Sequence, residues 1–533
     1  MAERERTMRK HTKAEGGSNL RRSSAKRPDD VQKKPSGKSP RFAHQSQDLH
    51  SHYGNVPNRS TGSRGKATDQ TSQTQKVQVP RRGFSEFQLR LVLAILNSVM
   101  VERKSLDKAY ALWFAKVKLD SVEQGFIIHS INAMFARLSY YAYAAGLKRP
   151  GDFAGHLARL PFVYSREHSW DLPQLPPDEN IDRRGLDTRL NQGREDVLLQ
   201  EGCPQWLEDL GSRALKERWP QERKALGAAA LRFIRCNTLK ITRDELASRL
   251  AEEGVVTRPV KGSSEALEVT SNAALFRTQC FRSGFFEQQD PGSQQIAHFC
   301  QVEGVRKVID ACAGSGGKTL HLAALLHGKG TIIALDTEQW KLNELKKRAR
   351  RAGAFNIETR LIDSTKVVKR LHDQADVVLI DAPCSGIGVL RRTPDSKWRD
   401  GREHLKEIKS TQCEILQRYA KMVKAGGAVI YSTCSILPEE NEEQVKAFLD
   451  SHQDQFVLEE QRQLWPSEGT DGFYMARLRN IARPDSKEEP EPPSDDETPQ
   501  PSNTAESTAS LDEPTDHVTD TAPISAEADT ERT

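Results

Sequence analysis

No two of the eight cysteines form a C-x-x-C pair; they stand at Cys203, Cys236, Cys280, Cys300, Cys312, Cys384, Cys413 and Cys434. That spacing argues against a zinc site, and no metal is expected. Their scatter fits free thiols in a reducing cytoplasm rather than a disulfide framework. Long apolar runs are also missing. None approaches the roughly 20 residues that a membrane span requires, and the first residues, MAERERTMRKHTKAEGG, lack the apolar core of a signal peptide. Hydrophobic residues make up 36% of the 533 and the mean hydropathy is -0.67. So polar a chain is expected to be disordered over part of its length. No internal repeat is evident.

What is present is unevenly distributed. Residues 1–83 hold 19 Lys and Arg against 7 Asp and Glu, whereas residues 484–533 hold 2 against 15. Both ends read as disordered: a basic tail, 1–83, and an acidic tail, 483–533. A basic arm suits nucleic acid or simple solvation. From Phe84 the pattern becomes helical. FQLRLVLAILNSVM, SLDKAYALWFAKV and EQGFIIHSINAMFARLSYYAYAAGL carry apolar residues at helical spacing. Ser105 and Ser121 are candidate N-caps. An all-α domain over 84–165 follows, then a Pro-, Asp- and Arg-rich linker near 163–190. PQWLEDLGSRALKERW, LRFIRCNTLK, ITRDELASRLAEEG and VVTRPV alternate helix and strand, giving a small α+β domain over 195–275.

Residues 276–482 alternate strand and helix in the manner of an α/β, doubly wound sheet. Cys312-Ala313-Gly314-Ser315-Gly316-Gly317-Lys318 follows the first strand and opens a helix, a place where backbone N–H groups meet a ligand. The loop is not a phosphate-binding G-x-x-x-x-G-K-[ST], since position 312 is Cys, nor a dinucleotide G-x-G-x-x-G, since position 319 is Thr. Asp336, Asp363 and Asp381 end the next strands. The three acids and the loop suit a nucleoside cofactor without a triphosphate, with S-adenosylmethionine fitting best.

The stretch DVVLIDAPCSGIGVLRRTPDSKW, 376–398, concentrates the chemistry. A buried strand delivers Asp381 and Cys384 to its C-terminal end. A second strand, AVIYSTCS, delivers Cys434. A thiolate adding to cytosine C6 turns the ring into an enamine that can attack a methyl sulfonium, and a protonated acid near N3, with Asp381 the candidate, would assist. The residues alone leave open which cysteine attacks. Arg391, Arg392, Lys397 and Arg399 are expected on RNA phosphate. Arg235, Asn237 and Lys240, at the end of the LRFIRCNTLK strand, either touch phosphate or are plain surface residues.

RCNTLK, CAGSGGKT, LIDAPCSGIGVLRR-PD-KW, AGGAVIYSTCS-PEEN and DGFYMARL resemble, in order and spacing, the RsmB/Nop/NSUN family of RNA cytosine-C5 methyltransferases. The resemblance implies a Rossmann-like class I methyltransferase domain behind a small RNA-binding domain. It also implies S-adenosyl-L-methionine on Cys312 to Lys318, Asp336, Asp363 and Asp381, with Cys434 as nucleophile and Cys384 in product release. The helical region is similar to the NusB-like domain of the RsmB branch, which implies small-subunit ribosomal RNA as partner. One departure stands out: Gly314-Ser315 replaces the family's Ala-Pro, which predicts a more flexible loop. Two rivals remain. An exocyclic-amine methyltransferase would use the Asp381-Ala-Pro383 turn and need no thiol. A non-catalytic RNA-binding assembly factor would keep only the fold.

Overall fold

The computed structural model describes residues 83–482, apart from Asp178 and Asp400. But for Gly83, both expected tails lie outside the described residues. Helices Glu86–Met100, Leu106–Phe114, Ser121–Ala136, Leu138–Ala144, Arg159–Glu167 and Arg183–Gly193 share one apolar core. In the first helix Leu91, Val92, Ile95, Leu96 and Val99 supply it at helical spacing. Ser105 caps the second helix, accepting from the Lys108 N–H. The third is capped by Asp120, which accepts from the Val122 and Glu123 N–H groups, both at 2.8 Å. Ser121, the expected cap, is the first helical residue instead. The expected linker is shorter than its composition suggested. Ile181, Leu186 and Leu190 join the helical core, so only 168–182 is irregular between the last two helices.

The small domain carries four antiparallel strands: β1 (Phe233–Cys236), β2 (Thr257–Pro259), β3 (Ala266–Val269) and β4 (Phe286–Gln288), in the order β2-β3-β1-β4. Helix Arg243–Glu252 buries Leu246 and Leu250 in the core beneath them. Thr242 caps it, and Gly254, at φ +78°, takes the left-handed turn that ends it. β3 and β4 are too short to show a period in sequence, and β4 draws residues 286–288, expected in the methyltransferase domain, into this sheet.

The larger sheet has seven strands: β5 (Lys307–Asp310), β6 (Thr331–Asp336), β7 (Ile357–Leu361), β8 (Ala375–Asp381), β9 (Val423–Thr433), β10 (Phe456–Leu464) and β11 (Phe473–Asn480). Their order is β10-β11-β9-β8-β5-β6-β7, with β5 to β9 parallel and β11 antiparallel to β9 and β10. Strand side chains alternate between two cores: Val377 and Leu379 enter one, Val378 and Ile380 the other. Burial on both faces explains why β8 reads as a continuous apolar run. The order reverses between β5 and β8, so a crevice opens at their C-terminal ends, where such sheets bind ligands. Among the described residues no helix is long and apolar enough to cross a membrane.

Candidate active site

A cavity of about 410 Å³ occupies that crevice. The loop after β5 forms one wall. Gly314 and Gly316 sit at φ +57° and +93°. A Cβ on Gly316 would stand 2.6 Å from the Leu345 side chain, so the close turn requires glycine. Cys312, Ala313, Gly314, Gly317 and Lys318 line the cavity; Ser315 and Gly316 do not. Arg348 Nη1 donates to the Ser315 carbonyl at 2.9 Å and Arg235 Nη1 to the Gly317 carbonyl at 2.8 Å, bracing the loop from both sides.

β6 brings Asp336 to the loop. Its carboxylate accepts from the Gly314 N–H at 3.0 Å and the Glu338 N–H at 2.8 Å, and it lines the cavity. Asp363 does not. It is exposed two residues past β7, takes a bond from Ser364, and leaves its neighbour Ile362 at the cavity. Asp310, at the end of β5, was not singled out in sequence. Oδ2 accepts from Thr319 Oγ1 at 2.7 Å, while Oδ1 is buried with no partner. Burial pushes its carboxyl up to about 7.

β8 and β9 are paired in parallel, with Asp381 in register with Ser432. The residues just beyond them therefore meet. Cys384 Sγ and Cys434 Sγ are 3.1 Å apart, and the Cys434 N–H donates to Cys384 Sγ at 3.3 Å. The Sγ–Sγ hydrogen bond with Cys434, with burial and the nearby charge of Glu440, holds the Cys384 thiol well above its ordinary range. Burial and the surrounding aspartates hold the Cys312 thiol well above its ordinary range. Asp381 accepts from Lys318 Nζ at 2.7 Å and from Ser432 Oγ at 3.0 Å. Burial opposes the Lys318 charge, but the Asp381 carboxylate outweighs it and holds the ammonium above its usual value. Both Asp381 oxygens thus accept hydrogen bonds, one from Lys318 and one from Ser432.

The basic residues expected on RNA have other partners. Arg391 Nε donates to Asp471 at 2.6 Å, and Arg392 reaches Asp471, Asp290 at 2.8 Å and the Leu231 carbonyl at 3.0 Å. Lys397 is buried at 2% exposure, which pushes its ammonium down to about 8. Arg399 donates to the Lys104 carbonyl at 3.1 Å. This loop is a seam: Trp398 Nε1 donates to the Phe135 carbonyl and Asp395 accepts from the Leu106 N–H of the helical domain, and the Lys397 carbonyl accepts from Trp206 Nε1 of the preceding α+β segment. Arg235 is buried behind the glycine loop. Asn237 Nδ2 donates to the Gly284 and Ala352 carbonyls, both at 2.8 Å, and Lys240 Nζ to the Ser283 and Arg351 carbonyls. They join the two domains. The same seam brings Asp107, from the helical domain, to the cavity wall, where burial pushes it up to about 6.

A family model described as the 16S rRNA methyltransferase RsmB/F matches residues 300–479, and one for the RsmF/B ferredoxin-like domain matches 203–275. Ribosomal RNA small subunit methyltransferase B of Serratia proteamaculans is 31% identical over 303 residues, 54% of this chain and 70% of that protein. The chain belongs to the RsmB/F methyltransferase family. A Bacillus subtilis relative is 32% identical over 264 residues, 46% of this chain, and the match spans 59% of the relative's own length. A solved structure, PH0851, shares the fold at a TM-score of 0.61 and 23% identity, covering 76% of this chain and all of that one. The two matched segments fit a Rossmann-like methyltransferase domain with a ferredoxin-like domain before it. S-adenosyl-L-methionine is the cofactor of an RsmB/F methyltransferase. The cavity fits it: the unpartnered Asp310 Oδ1 and the Asp336 carboxylate offer acceptors to an amino group and ribose hydroxyls.

A His–Glu–His group also comes together among the described residues, unannounced by any sequence motif. Glu265 Oε2 accepts from His298 Nε2 at 3.0 Å and His321 Nε2 at 2.9 Å. Burial keeps His321 neutral, pushed down to about 3. Both imidazoles point at one oxygen, and His321 Nδ1 lacks the acceptor that fixes a ligating imidazole. The arrangement is a hydrogen-bonded bridge from the ferredoxin-like domain to two methyltransferase helices, Pro291–Phe299 and Gly317–Leu325.

Proposed function

We propose that this chain methylates cytosine at C5 in small-subunit ribosomal RNA, in the cytoplasm, through a covalent adduct on Cys434. The observation that carries the reading is the pair of thiols 3.1 Å apart at neighbouring strand ends, in one cavity with the Lys318–Asp381 pair. A methyltransferase acting on an exocyclic amine has no use for two thiols there.

Cys434, as thiolate, forms a bond to C6, and the ring electrons move toward N3 and O2. Lys318, fixed by Asp381, donates to the charge that develops there. C5 becomes nucleophilic. Bound S-adenosylmethionine supplies the electrophilic methyl group. A base then takes the C5 proton, the C6–S bond breaks, and sulfur leaves with its electron pair. Cys384 stands close enough to protonate the departing sulfur and free the product. The target base must be turned out of any helix to reach Cys434.

Mass spectrometry of nucleosides from small-subunit ribosomal RNA, treated with enzyme and isotope-labelled S-adenosylmethionine, tests this. The expected product is labelled 5-methylcytidine. Labelled N4-methylcytidine would instead establish the amine reading, and cofactor binding without any product would favour an assembly factor.

A further inference from the structure

Each of the two cysteines is followed by a serine, and both serines are held by one buried side chain. Glu440 is fully buried in the turn after β9. Its Oε1 accepts from the Ser385 N–H at 2.7 Å and from Gln412 Nε2 at 3.1 Å. Its Oε2 accepts from Ser385 Oγ at 2.6 Å and from Ser435 Oγ. The turn itself is fixed by Tyr431, whose hydroxyl donates to the Glu440 carbonyl at 2.8 Å. Gln412, on helix Arg402–Tyr419, also donates to the Pro383 carbonyl at 2.9 Å, tying the segment before Cys384 to the same point.

We propose that Glu440 is the positioning residue of the thiol pair: it clamps Ser385 and Ser435 together and so sets the spacing between Cys384 and Cys434. The inference rests on the two-thiol reading above but adds a residue that touches neither substrate nor cofactor. Acidic residues after such a strand read in sequence as favourable charge at the start of helix Glu442–Ser451. Glu439 does pair with Lys409 at the surface, and Glu442 and Glu443 occupy the first turn. Glu440 points the other way, into the site. The β8–β9 register ends at Asp381 and Ser432. Beyond it the Ala382 N–H donates to the Ser432 carbonyl at 2.8 Å and the Gly388 N–H to the Cys434 carbonyl at 2.9 Å, and the Glu440 carboxylate adds the side-chain tie between the two cysteine-bearing segments.

The clamp has an electrostatic side. The titratable groups facing Cys384 are Cys434 and Glu440, and the negative charge of Glu440 adds to the effect of Cys434 in favouring the protonated thiol. A protonated Cys384 is the form a release step needs. Lys318 and Asp381 pair with each other at 2.7 Å.

The test uses the full chain and compares wild type, Glu440→Gln and Ser435→Ala. Gln keeps the shape, and its amide can face the two hydroxyls, which rotate to accept, so folding is retained. One readout is steady-state methylation. We expect kcat of Glu440→Gln to fall about 10- to 100-fold, as for other residues that orient a reacting group, with KM for RNA and cofactor changed less than about threefold. Ser435→Ala should show a smaller loss of the same kind. The second readout needs no RNA: peptide-resolved iodoacetamide labelling of Cys384 against pH. Its midpoint should move to lower pH in Glu440→Gln. If the variant is merely less stable, with kcat per folded molecule and the Cys384 labelling profile both unchanged, the proposal is overturned. Should wild type make no 5-methylcytidine, the substrate reading fails on its own, and the labelling profile still decides the role of Glu440.

Discussion

Two loops leave the same sheet a few residues apart, and they use similar residues to opposite ends. At the strand ends, Lys318, Asp381, Cys384 and Cys434 converge on a cavity. In the following segment, Arg391 and Arg392 turn inward onto Asp471 and Asp290, Arg399 reaches the Lys104 carbonyl of the helical domain, and Lys397 is buried. Both are rich in charge beside an apolar strand. The difference lies in what each charge meets. A strand end is fixed by register, so its direction follows from the ladder. A cation on a loop takes whichever acceptor the rest of the fold supplies, and here that acceptor comes from residues up to 295 positions away.

The largest effect should fall at the strand ends. Cys434→Ala is expected to lower kcat by about 10⁴-fold or more, as loss of a nucleophile does elsewhere, with cofactor affinity in calorimetry within a factor of a few of wild type. In the loop, Arg391→Ala should act on the fold. Removing one partner of a buried pair that leaves Asp471 only Arg392 should cost about 3 kcal/mol of stability in denaturant titration. The slope of log RNA affinity against log salt should stay the same. A phosphate contact would instead reduce it by nearly one, and that outcome would restore this loop to the RNA surface.

Two smaller effects refine the contrast through pH. His321 is depressed in the folded state from 6.5 to about 3 by burial and by nearby Arg235 and His298, partly opposed by Glu265. A depressed folded value means its contribution to stability is whole above about pH 6.5 and is lost progressively as pH falls toward about 3. His321→Gln should flatten that part of an acid-unfolding curve. Lys397, depressed from 10.5 to about 8, is charged at neutral pH inside the protein. By the same sign its neutral form is favoured only at high pH, so at pH 7 the residue is a burden. Lys397→Met should raise stability by on the order of 1–3 kcal/mol at pH 7, with the gain shrinking as pH rises through about 8 and gone above about 10.5. No gain would mean the ammonium reaches water.

The sequence made the central strands β5, β6, β8 and β9 legible because they are buried on both faces and read as apolar runs ending in acid or thiol, whereas the largely exposed edge strand β10, FVLEEQRQL, carries no such run and goes unanticipated. The glycine loop was legible because only glycine tolerates φ near +93° against Leu345. Much of the rest depends on distant partners. Ser315 and Gly316 belong to the loop but face away from the cavity. Asp363 overshoots its strand by two residues and stays in solvent. Asp310 and Glu440 carry no motif of their own; one is visible only through its unpartnered oxygen, the other only through the two serines it gathers. Arg235, Asn237 and Lys240 read as either phosphate contacts or plain surface because nothing in RCNTLK announces carbonyls more than a hundred residues away.

The account rests on a covalent bond between Cys434 and RNA. Denaturing gels of wild type, Cys384→Ala and Cys434→Ala, each incubated with small-subunit ribosomal RNA and S-adenosylmethionine, test it directly. The account predicts a protein–RNA adduct that accumulates in Cys384→Ala and is absent from Cys434→Ala. An adduct in Cys434→Ala alone would exchange the two roles, and methyl transfer with no adduct in any lane would contradict the thiol mechanism.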